Sequence, residues 1–523
     1  MRYFYLLSLA ALLLGACTKN PHSTQVHPGE DWDAPVEHEM IVLGDQLNDP
    51  YTVENMEAAF ASLYPVKSDR VVLEATDLYV RFLPKDKSQY ELLLNLGLQL
   101  VDHPVDYQIV KDGDYYHDPQ IAEGDITWQY TVVPMGFKFP NGIEYEILDE
   151  CFIAEKSVLS KSSDIDWEAV ERESYRLTGN ETMLLPETKA EAQSPAGRIT
   201  ISDPDYSEEP QGVKGVMVFC NSFVKFARAY TDENGYYQMR TSFSGKPRYR
   251  LVFKNKKGFC IGFNLLLIPA SVSAIGKAEN SGVNLHITSD SEKKLFARSV
   301  VNNAAYDYYE SCASEDRSIS LPPSNLRIWL LGGLSSSSTP MLHHGAFVES
   351  GIVKEFLGEY VGLLEMFLPD ITIGIKNIES YSSLYLQAIH ELAHASHFMQ
   401  VGREYWDTYI NYILYSFVNS GFEKYGSGTE MNHGYCEVGE MWAYYMQSSF
   451  CRTRYPDMNT TFGTQFWFSP QILVYLEDRG INRFKIFEAL KDDVTDRELL
   501  QERLILLWPE AKSVINQAFG RYN

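Results

Sequence analysis

The chain has 523 residues, of which 45% are hydrophobic, so it can form full hydrophobic cores and is long enough for about three domains. Its formal net charge is −25 at pH 7, with 70 acidic against 45 basic side chains. This charge argues against nucleic acid and anionic lipid surfaces as partners, because both are polyanions.

The N-terminus is typical of an exported bacterial protein. One basic residue, Arg2, precedes an apolar run that is too short to span a bilayer. The segment Leu-Gly-Ala-Cys that ends at Cys17 resembles a bacterial lipobox, which implies a signal peptide over 1–16 and a lipid anchor in the membrane at Cys17. A plain secretory signal is the alternative. Because Thr18 carries no acidic retention signal, we expect the protein in the bacterial cell envelope, at the outer membrane.

Residues 17–40 are polar and contain Pro and Gly, so they predict a flexible tether between the lipid and the folded body. Residues 41–190 predict an α+β domain whose role the sequence does not indicate. The segment 112–119 within it is rich in aromatic side chains and predicts a packed surface loop or a binding loop. The elements predicted in this domain are a helix over 51–63 that Thr52 caps, a half-buried strand over 77–83 and a helix over 89–96.

Residues 195–266 contain short strand patterns separated by turns, at the regular spacing of a small β-sandwich. The segment Thr231-Asp-Glu-Asn-Gly-Tyr-Tyr237 resembles a turn of the carboxypeptidase regulatory-like (transthyretin-like) domains of exported bacterial proteins. This resemblance implies a β-sandwich without catalytic residues. The predicted strands are 215–220, 226–231, 235–239 and 249–253.

Residues 270–523 are mostly of helical pattern, interrupted by strands. A short strand over 371–375 precedes a helix over 381–400 that Ser380 or Ser382 can cap. The other elements predicted here are helices over 291–312, 353–367, 406–418 and 434–447, a strand over 326–331, and three or four helices nearer the C-terminus.

Residues 390–394, in the helix over 381–400, read His-Glu-Leu-Ala-His. His390 and His394 are one turn apart, so both imidazoles project from one face and can bind one zinc ion. Glu391 is offset by one residue and can act as general base towards a water on the open side of the metal. This H-E-x-x-H arrangement resembles that of the zinc peptidases called zincins. In zincins a strand before this helix pairs with an extended peptide substrate, and the strand over 371–375 is the candidate. A surface helix with two unrelated histidines is the alternative.

A catalytic zinc site needs a third protein ligand. The metzincin extension requires Gly and His three and six residues after His394, but His397 and Gln400 occupy those positions. The resemblance that remains is to the gluzincins, whose third ligand is a glutamate on a second helix. The run Glu440-Met-Trp-Ala resembles the sequence around that ligand, so it implies Glu440 as the third ligand.

Glu437 shares a helix face with Glu440 and is the alternative ligand. Whichever of the two does not bind the metal is expected to form a hydrogen bond with a ligating His. In some gluzincins a Tyr or His shortly before the third ligand donates a hydrogen bond to the tetrahedral oxyanion. The resemblance therefore implies Tyr435 as a catalytic residue, with Tyr444 as the alternative. A packing role is the simpler interpretation for either tyrosine.

Six cysteines remain besides Cys17, without any C-x-x-C pair, which excludes a thiolate zinc site and a redox motif. Cys220 and Cys260 can pair if they share one small domain, and the sequence does not decide this. Cys436 and Cys451 cannot form a disulfide if one continuous helix holds them about 22 Å apart.

The whole chain resembles the multidomain zinc metallopeptidase lipoproteins of Bacteroidota. The fold class expected is multidomain α+β: an N-terminal α+β domain, a small β-sandwich and a mostly helical zincin-like domain with a short edge-strand sheet. The resemblance implies a Zn²⁺-dependent hydrolase of peptide or protein substrates. The alternative is a non-catalytic surface lipoprotein that binds a glycan or protein and retains a zincin scaffold. The intact Glu391 argues against that alternative, because a scaffold needs no general base.

Overall fold

The computed structural model describes residues 40–68, 71–122, 125–161, 164–186, 191–262, 272–313, 318–331, 370–376, 378, 380–419 and 425–522. The signal peptide, Cys17, nearly all of the tether and the helix predicted over 353–367 lie outside these residues. The described part is a mixed α/β multidomain structure with several sheets and a helical C-terminal region.

Strands and helices are numbered separately, each in chain order. The strands are β1 Val42–Gln46, β2 Asp77–Leu83, β3 Tyr107–Lys111, β4 Gln129–Pro134, β5 Glu144–Cys151, β6 Ala196–Asp203, β7 Ser207–Gly212, β8 Val216–Ser222, β9 Lys225–Tyr230, β10 Tyr236–Gln238, β11 Arg248–Asn255, β12 Cys260–Gly262, β13 Val272–Lys277, β14 Leu285–Ile287, β15 Arg327–Leu331 and β16 Ile371–Gly374. The helices are α1 Val53–Leu63, α2 Pro65–Ser68, α3 Lys87–Asn95, α4 Trp167–Leu177, α5 Lys293–Ser311, α6 Tyr381–Val401, α7 Arg403–Asn419, α8 His433–Arg454, α9 Gln471–Glu477, α10 Arg483–Ala489, α11 Arg497–Leu507 and α12 Lys512–Arg521.

The N-terminal region contains an antiparallel sheet of order β4-β2-β5, with β2 in the centre. The predicted strand over 77–83 is confirmed as β2, and the side chain of Thr52 caps α1 by accepting the backbone N–H of Asn55. The prediction that β2 is half-buried is wrong. Its alternate residues enter two cores: Val80 and Phe82 pack with Leu93 of α3, whereas Tyr79 packs on the opposite face.

The strands that the sequence predicts for the β-sandwich are present, but they divide between two sheets. One sheet has the order β10-β6-β14, with β7 also paired to β6. The other has the order β16-β15-β12-β11-β8-β9, with β13 also paired to β11. The pairings β12–β15 and β15–β16 are parallel, so strands of the C-terminal region extend the sheet that begins in the sandwich.

β8 is buried along its whole length because each of its faces belongs to a different core. Val218 and Cys220 pack into a cluster that reaches the C-terminal helices, and Met217 and Phe219 pack against the N-terminal region. The sandwich strands and the helical region thus share one continuous core. A division of the chain at about residue 270 stays a prediction, and this shared core argues against two regions that fold independently.

The helix predicted over 381–400 is confirmed as α6, and it is buried on nearly every side. It packs against α5, α7, α8 and β16. The indole Nε1 of Trp442 in α8 donates to the carbonyl oxygen of Ala393 (3.1 Å), and the hydroxyl of Tyr308 in α5 donates to Oγ of Ser396 (2.9 Å). These bonds fix two neighbouring helices against α6.

The six cysteines of the described part are all free thiols, Cys220 and Cys260 included. Cys436 and Cys451 both lie in α8, which is one continuous helix, and both are free thiols. This agrees with the prediction that they cannot form a disulfide. Among the described helices, none combines the length and the apolar composition of a segment that crosses a bilayer.

Candidate metal centre

α6 presents two histidines on one face at the middle of its length. The helix begins where Oγ of Ser380 accepts the backbone N–H of Ser383 (3.1 Å), and it ends at Gly402, whose φ of 81° any other residue would adopt at a cost. His390 and His394 are four positions apart on the helix, and their rings lie 4.8 Å apart between centroids.

Glu440 of α8 meets both histidines. Its Oε2 atom lies 3.5 Å from Nε2 of His390, and its Oε1 atom lies 3.5 Å from Nε2 of His394. One donor atom of each residue lies within 4.8 Å of the other two, and we call these three residues the metal triad. Ligands of a tetrahedral zinc ion are about 3.3–3.5 Å apart, given bonds of about 2.0–2.1 Å. The metal triad could therefore hold a metal ion.

The triad is closed off from solvent, with exposed fractions of 0% for His390, 1% for His394 and 0% for Glu440. Burial by itself would raise the pKa of Glu440, but His394 and His390 beside it hold that pKa well below its usual range. Burial lowers the pKa of His394, and Glu440 more than reverses this, so the net shift is upward. A carboxylate this deep requires a neighbouring positive charge, either a metal ion or a protonated histidine.

The donor set fits a metal ion. Apart from the approach of Nε2 to Glu440, neither ring nitrogen of His394 has a hydrogen-bond partner in the part of the chain that the structure describes. Buried imidazole nitrogens normally have a partner, and a metal ion would supply it. Two imidazoles and one carboxylate form a typical ligand set for zinc.

A third helix contributes to the site through Tyr409 of α7. Its hydroxyl donates a hydrogen bond to Oε1 of Glu440 (2.5 Å), and the ring of Trp406 packs edge-on against His394 at 5.5 Å. The sequence analysis missed both residues. The one sequence signal for Tyr409 is a run of tyrosines at helical spacing, Tyr405, Tyr409 and Tyr412, which is equally typical of core packing.

Glu391 is fully buried, with an exposed fraction of 0%, and follows His390 directly in α6. Its negative charge contributes to the upward shift of the pKa of His394. The role of Glu391 as a base beside a bound metal stays a prediction.

Glu437 lies in the same helix as Glu440 but faces another partner. Its Oε1 atom accepts a hydrogen bond from Nε of Arg497 (2.7 Å), and its Oε2 atom accepts the backbone N–H of the same residue (3.2 Å). The expectation that Glu437, where Glu440 is the ligand, forms a hydrogen bond with a ligating histidine is therefore wrong. Arg497 begins α11, far along the chain, and a spacing rule does not detect such a partner.

The two candidate tyrosines lie in different surroundings. The ring of Tyr435 packs against Tyr405 at 4.7 Å, whereas the ring of Tyr444 packs against His390 at 4.4 Å. The hydroxyl of Tyr444 lies 3.1 Å from that of Tyr425. These contacts bring Tyr444 closer to the metal triad, and a catalytic role for Tyr435 stays a prediction.

His397 follows the metal triad by one turn of α6 and is not part of it. Its ring packs against Tyr405 at 5.2 Å. Burial, and then the charge of His394, lower the pKa of His397 to about 3, so its imidazole is neutral at physiological pH. Its role is in packing the helix, as its spacing from His394 indicates.

No family model, no curated protein and no solved structure matches this chain. The likeness to gluzincins therefore remains one of short motifs.

Proposed function

We propose that this chain is a zinc-dependent peptidase in which His390, His394 and Glu440 hold the metal and Glu391 is the general base. The observation that carries the proposal is the meeting of three buried donor groups from two helices, with a second buried carboxylate, Glu391, next to His390 in the chain. Bound zinc supplies a Lewis acid that polarises the scissile carbonyl and lowers the pKa of a water molecule. A metal site that only stabilises the fold has no need of Glu391, because it activates no water.

The chain's own residues would divide the work. Glu391 accepts the proton of the attacking water and passes it to the leaving amine, which then departs as a neutral group. Tyr409 holds the carboxylate of Glu440 in one orientation. Tyr444, against His390, is the nearer of the two tyrosines that could donate to the oxyanion, and Tyr435 is the other.

Pairing of an extended peptide with β16 belongs to the proposal as well. β16 is the last strand in the order of its sheet among the described strands, and it leads directly into α6. All of its residues are buried, and Thr372 makes further contacts, so a substrate would have to reach a covered strand. Substrate pairing with β16 stays a prediction.

Export and lipid anchoring complete the proposal. The lipobox-like segment at Cys17 supports an envelope protein anchored by lipid, at the outer membrane, with peptides or proteins as substrates and no nucleic acid partner. Cys17 lies outside the described residues.

A second candidate function has one specific observation in its favour. The metal triad and Glu391 are at most 1% exposed, and closed metal sites are more often structural than catalytic. In this candidate the metal stabilises the helices of an envelope protein that binds a glycan or a protein.

One experiment separates the two functions. The purified full chain is analysed for bound metal and then incubated with a diverse peptide library, with and without a chelator. Zinc at one equivalent together with chelator-sensitive cleavage is the expected result. Zinc without any cleavage would instead identify the metal as structural.

A further inference from the structure

A cavity of about 190 Å³ separates the N-terminal region from the seven-stranded sheet, and none of the residues of the metal triad lines it. Its floor consists of side chains from β8, β9, β11, β12, β13 and β15. Its roof consists of α3 together with residues 98–103 and 112–114. Arg228 and Ala274 on the floor are exposed, so the cavity opens to solvent.

The strand register arranges the floor in three rows, because paired residues of neighbouring strands point to the same face. The middle row is apolar, and the two outer rows carry the basic side chains, with about 7 Å between successive rows. The first row is Arg228, Phe219, Arg250 and Ala274; the middle row includes Met217, Val252 and Val272; the third row is Lys254, Cys260 and Arg327.

The carboxylates that line the cavity are mostly neutralised already. Glu91 pairs with Arg327 (2.8 Å). Asp112 and Asp114 pair with cations that do not line the cavity, namely Arg248 (2.8 Å) and Lys294 (2.6 Å). The remaining one, Asp102, accepts the backbone N–H of Tyr116 (2.7 Å).

The basic side chains of the first row lack this compensation. In the part of the chain that the structure describes, Arg228 and Arg250 form no ion pair with a carboxylate, although the charges of Asp102 and Asp112 act on Arg250 at longer range. Arg250 donates to Oδ1 of Asn221 (2.8 Å) and to Nε2 of His103 (3.2 Å), and Arg228 donates to Gln99 and Gly97, all of them neutral acceptors. With Lys254, also without an ion pair there, these side chains leave the cavity with an excess of positive charge.

Arg250 is the most deeply buried of these three cations, with an exposed fraction of 6%, so desolvation disfavours its charged form. Burial, and then the charge of Arg248, lower the pKa of Arg250 to about 10, so the guanidinium is still charged at physiological pH. The direct hydrogen-bond partners of this buried cation are neutral, so an anion in contact with it would offset much of the cost of its burial. An anion from solution would also suit the open mouth beside Arg228.

We propose that this cavity binds a small organic carboxylate with an apolar body. The carboxylate contacts Arg250 and Arg228 in the first row, and the apolar body lies over Met217 and Val252 in the middle row. Guanidinium groups bind carboxylates through paired, charge-assisted hydrogen bonds, which give this contact its orientation. Either a free small acid or the C-terminus of a peptide carries this chemistry. This site is independent of the proposed peptidase function.

Calorimetric titration of the full chain tests the proposal. The probes are 3-phenylpropionate for the free acid and acetyl-Ala-Phe for the peptide C-terminus, each compared with its neutral amide. The protein is treated with EDTA and dialysed beforehand, because a carboxylate could otherwise bind a metal ion at His390, His394 and Glu440. EDTA is absent from the titration, since it is itself a polycarboxylate. We expect at least one acid to bind about tenfold or more tightly than its amide, and the acid that does so identifies the source. Equal binding of acid and amide, or no binding of either acid, would overturn the proposal.

Three substitutions locate the binding. Arg250→Gln should weaken binding of the acid by about tenfold or more. Arg228→Gln should weaken it as well, and this exposed position keeps the test valid if Arg250→Gln fails to fold. Lys256→Gln removes the same charge at an exposed position outside the cavity and should leave binding unchanged. Unchanged binding in both arginine variants, or inorganic phosphate binding as tightly as the acids, would show that the cavity is not this site.

Discussion

The hydroxyl of Tyr409 donates a hydrogen bond to Oε1 of Glu440, the same carboxylate oxygen that lies 3.5 Å from Nε2 of His394. One side chain of α7 therefore fixes how a carboxylate of α8 approaches a histidine of α6. Partners of this kind orient metal ligands, and their loss typically weakens metal binding by about 10- to 100-fold. The geometry of the metal triad thus depends on three helices.

Tyr409→Phe removes this hydrogen bond and keeps the ring. We expect the affinity for zinc to fall by about 10- to 100-fold, because the carboxylate of Glu440 loses its fixed orientation. Competition with a chromophoric chelator measures the affinity. Tyr412→Phe is the matched control: it lies in the same helix and loses bonds to the carbonyl of Tyr425 and to Glu430, but it does not contact the triad. Equal affinities in the two variants would contradict the role of Tyr409.

The two glutamates of α8 provide a second test. Glu440→Gln removes the charge of the proposed ligand, and His390→Ala removes an imidazole, so both variants should lose bound zinc. Glu437→Gln should retain zinc and lower the thermal stability, because its carboxylate is 5% exposed and pairs with Arg497. Elemental analysis and thermal unfolding give the two readouts. Loss of zinc in Glu437→Gln alone would exchange the roles of the two residues.

Glu391→Gln separates catalysis from metal binding. The amide keeps the shape of the side chain but cannot accept the proton of water. We expect zinc content near that of the wild type and peptide hydrolysis lower by about 10²- to 10⁴-fold, the usual contribution of a positioned general base. A chain that binds zinc and cleaves the same peptides with and without this carboxylate would require a different base.

Cys17→Ser tests the proposed anchor. Without the thiol no lipid can be attached, so the variant should move from the membrane fraction to the soluble fraction while its folded body is unchanged. Fractionation with immunodetection, together with circular dichroism of the released protein, measures both effects. Retention of the variant in membranes would mean that another segment or a partner holds the protein there.

Local sequence patterns predicted the parts of this structure that depend on neighbours in the chain. The helical spacing of His390 and His394, the cap at Ser380 and the bounds of β2 each follow from a few consecutive residues. The choice of Glu440 depended on a short resemblance, and the structure brings that residue to the two histidines.

What the sequence did not predict depends on partners far along the chain. Glu437 binds Arg497 and not a residue of the metal triad, whereas Tyr409 donates a hydrogen bond to Glu440. Neither contact has a fixed spacing along the chain. The alternation in β2 predicted one exposed face, but a second core covers that face, because the N-terminal region packs on β8. An alternating pattern records that two faces differ and does not record what covers each of them.

Asp49 predicts how stability changes with pH. It is 5% exposed, and burial raises its pKa to about 8, although the backbone N–H of Tyr51 that it accepts (2.8 Å) acts in the opposite direction. An unfolded chain releases this proton at about pH 4. Between about pH 4 and pH 8 the native state therefore binds a proton that the unfolded state has lost, so stability falls as pH rises through this range.

Asp49→Asn removes this titration, so the advantage of the variant over the wild type in unfolding midpoint should grow steadily from pH 5 to pH 8. The slope it removes is at most about 1.4 kcal/mol per pH unit. Thermal unfolding in EDTA measures it without interference from metal binding, which is itself pH-dependent. Asp45→Asn makes the same change at an exposed position and is the matched control. A constant difference between Asp49→Asn and the wild type over this range would mean that Asp49 is ionised in the native state throughout, and that its burial is compensated by partners other than Tyr51.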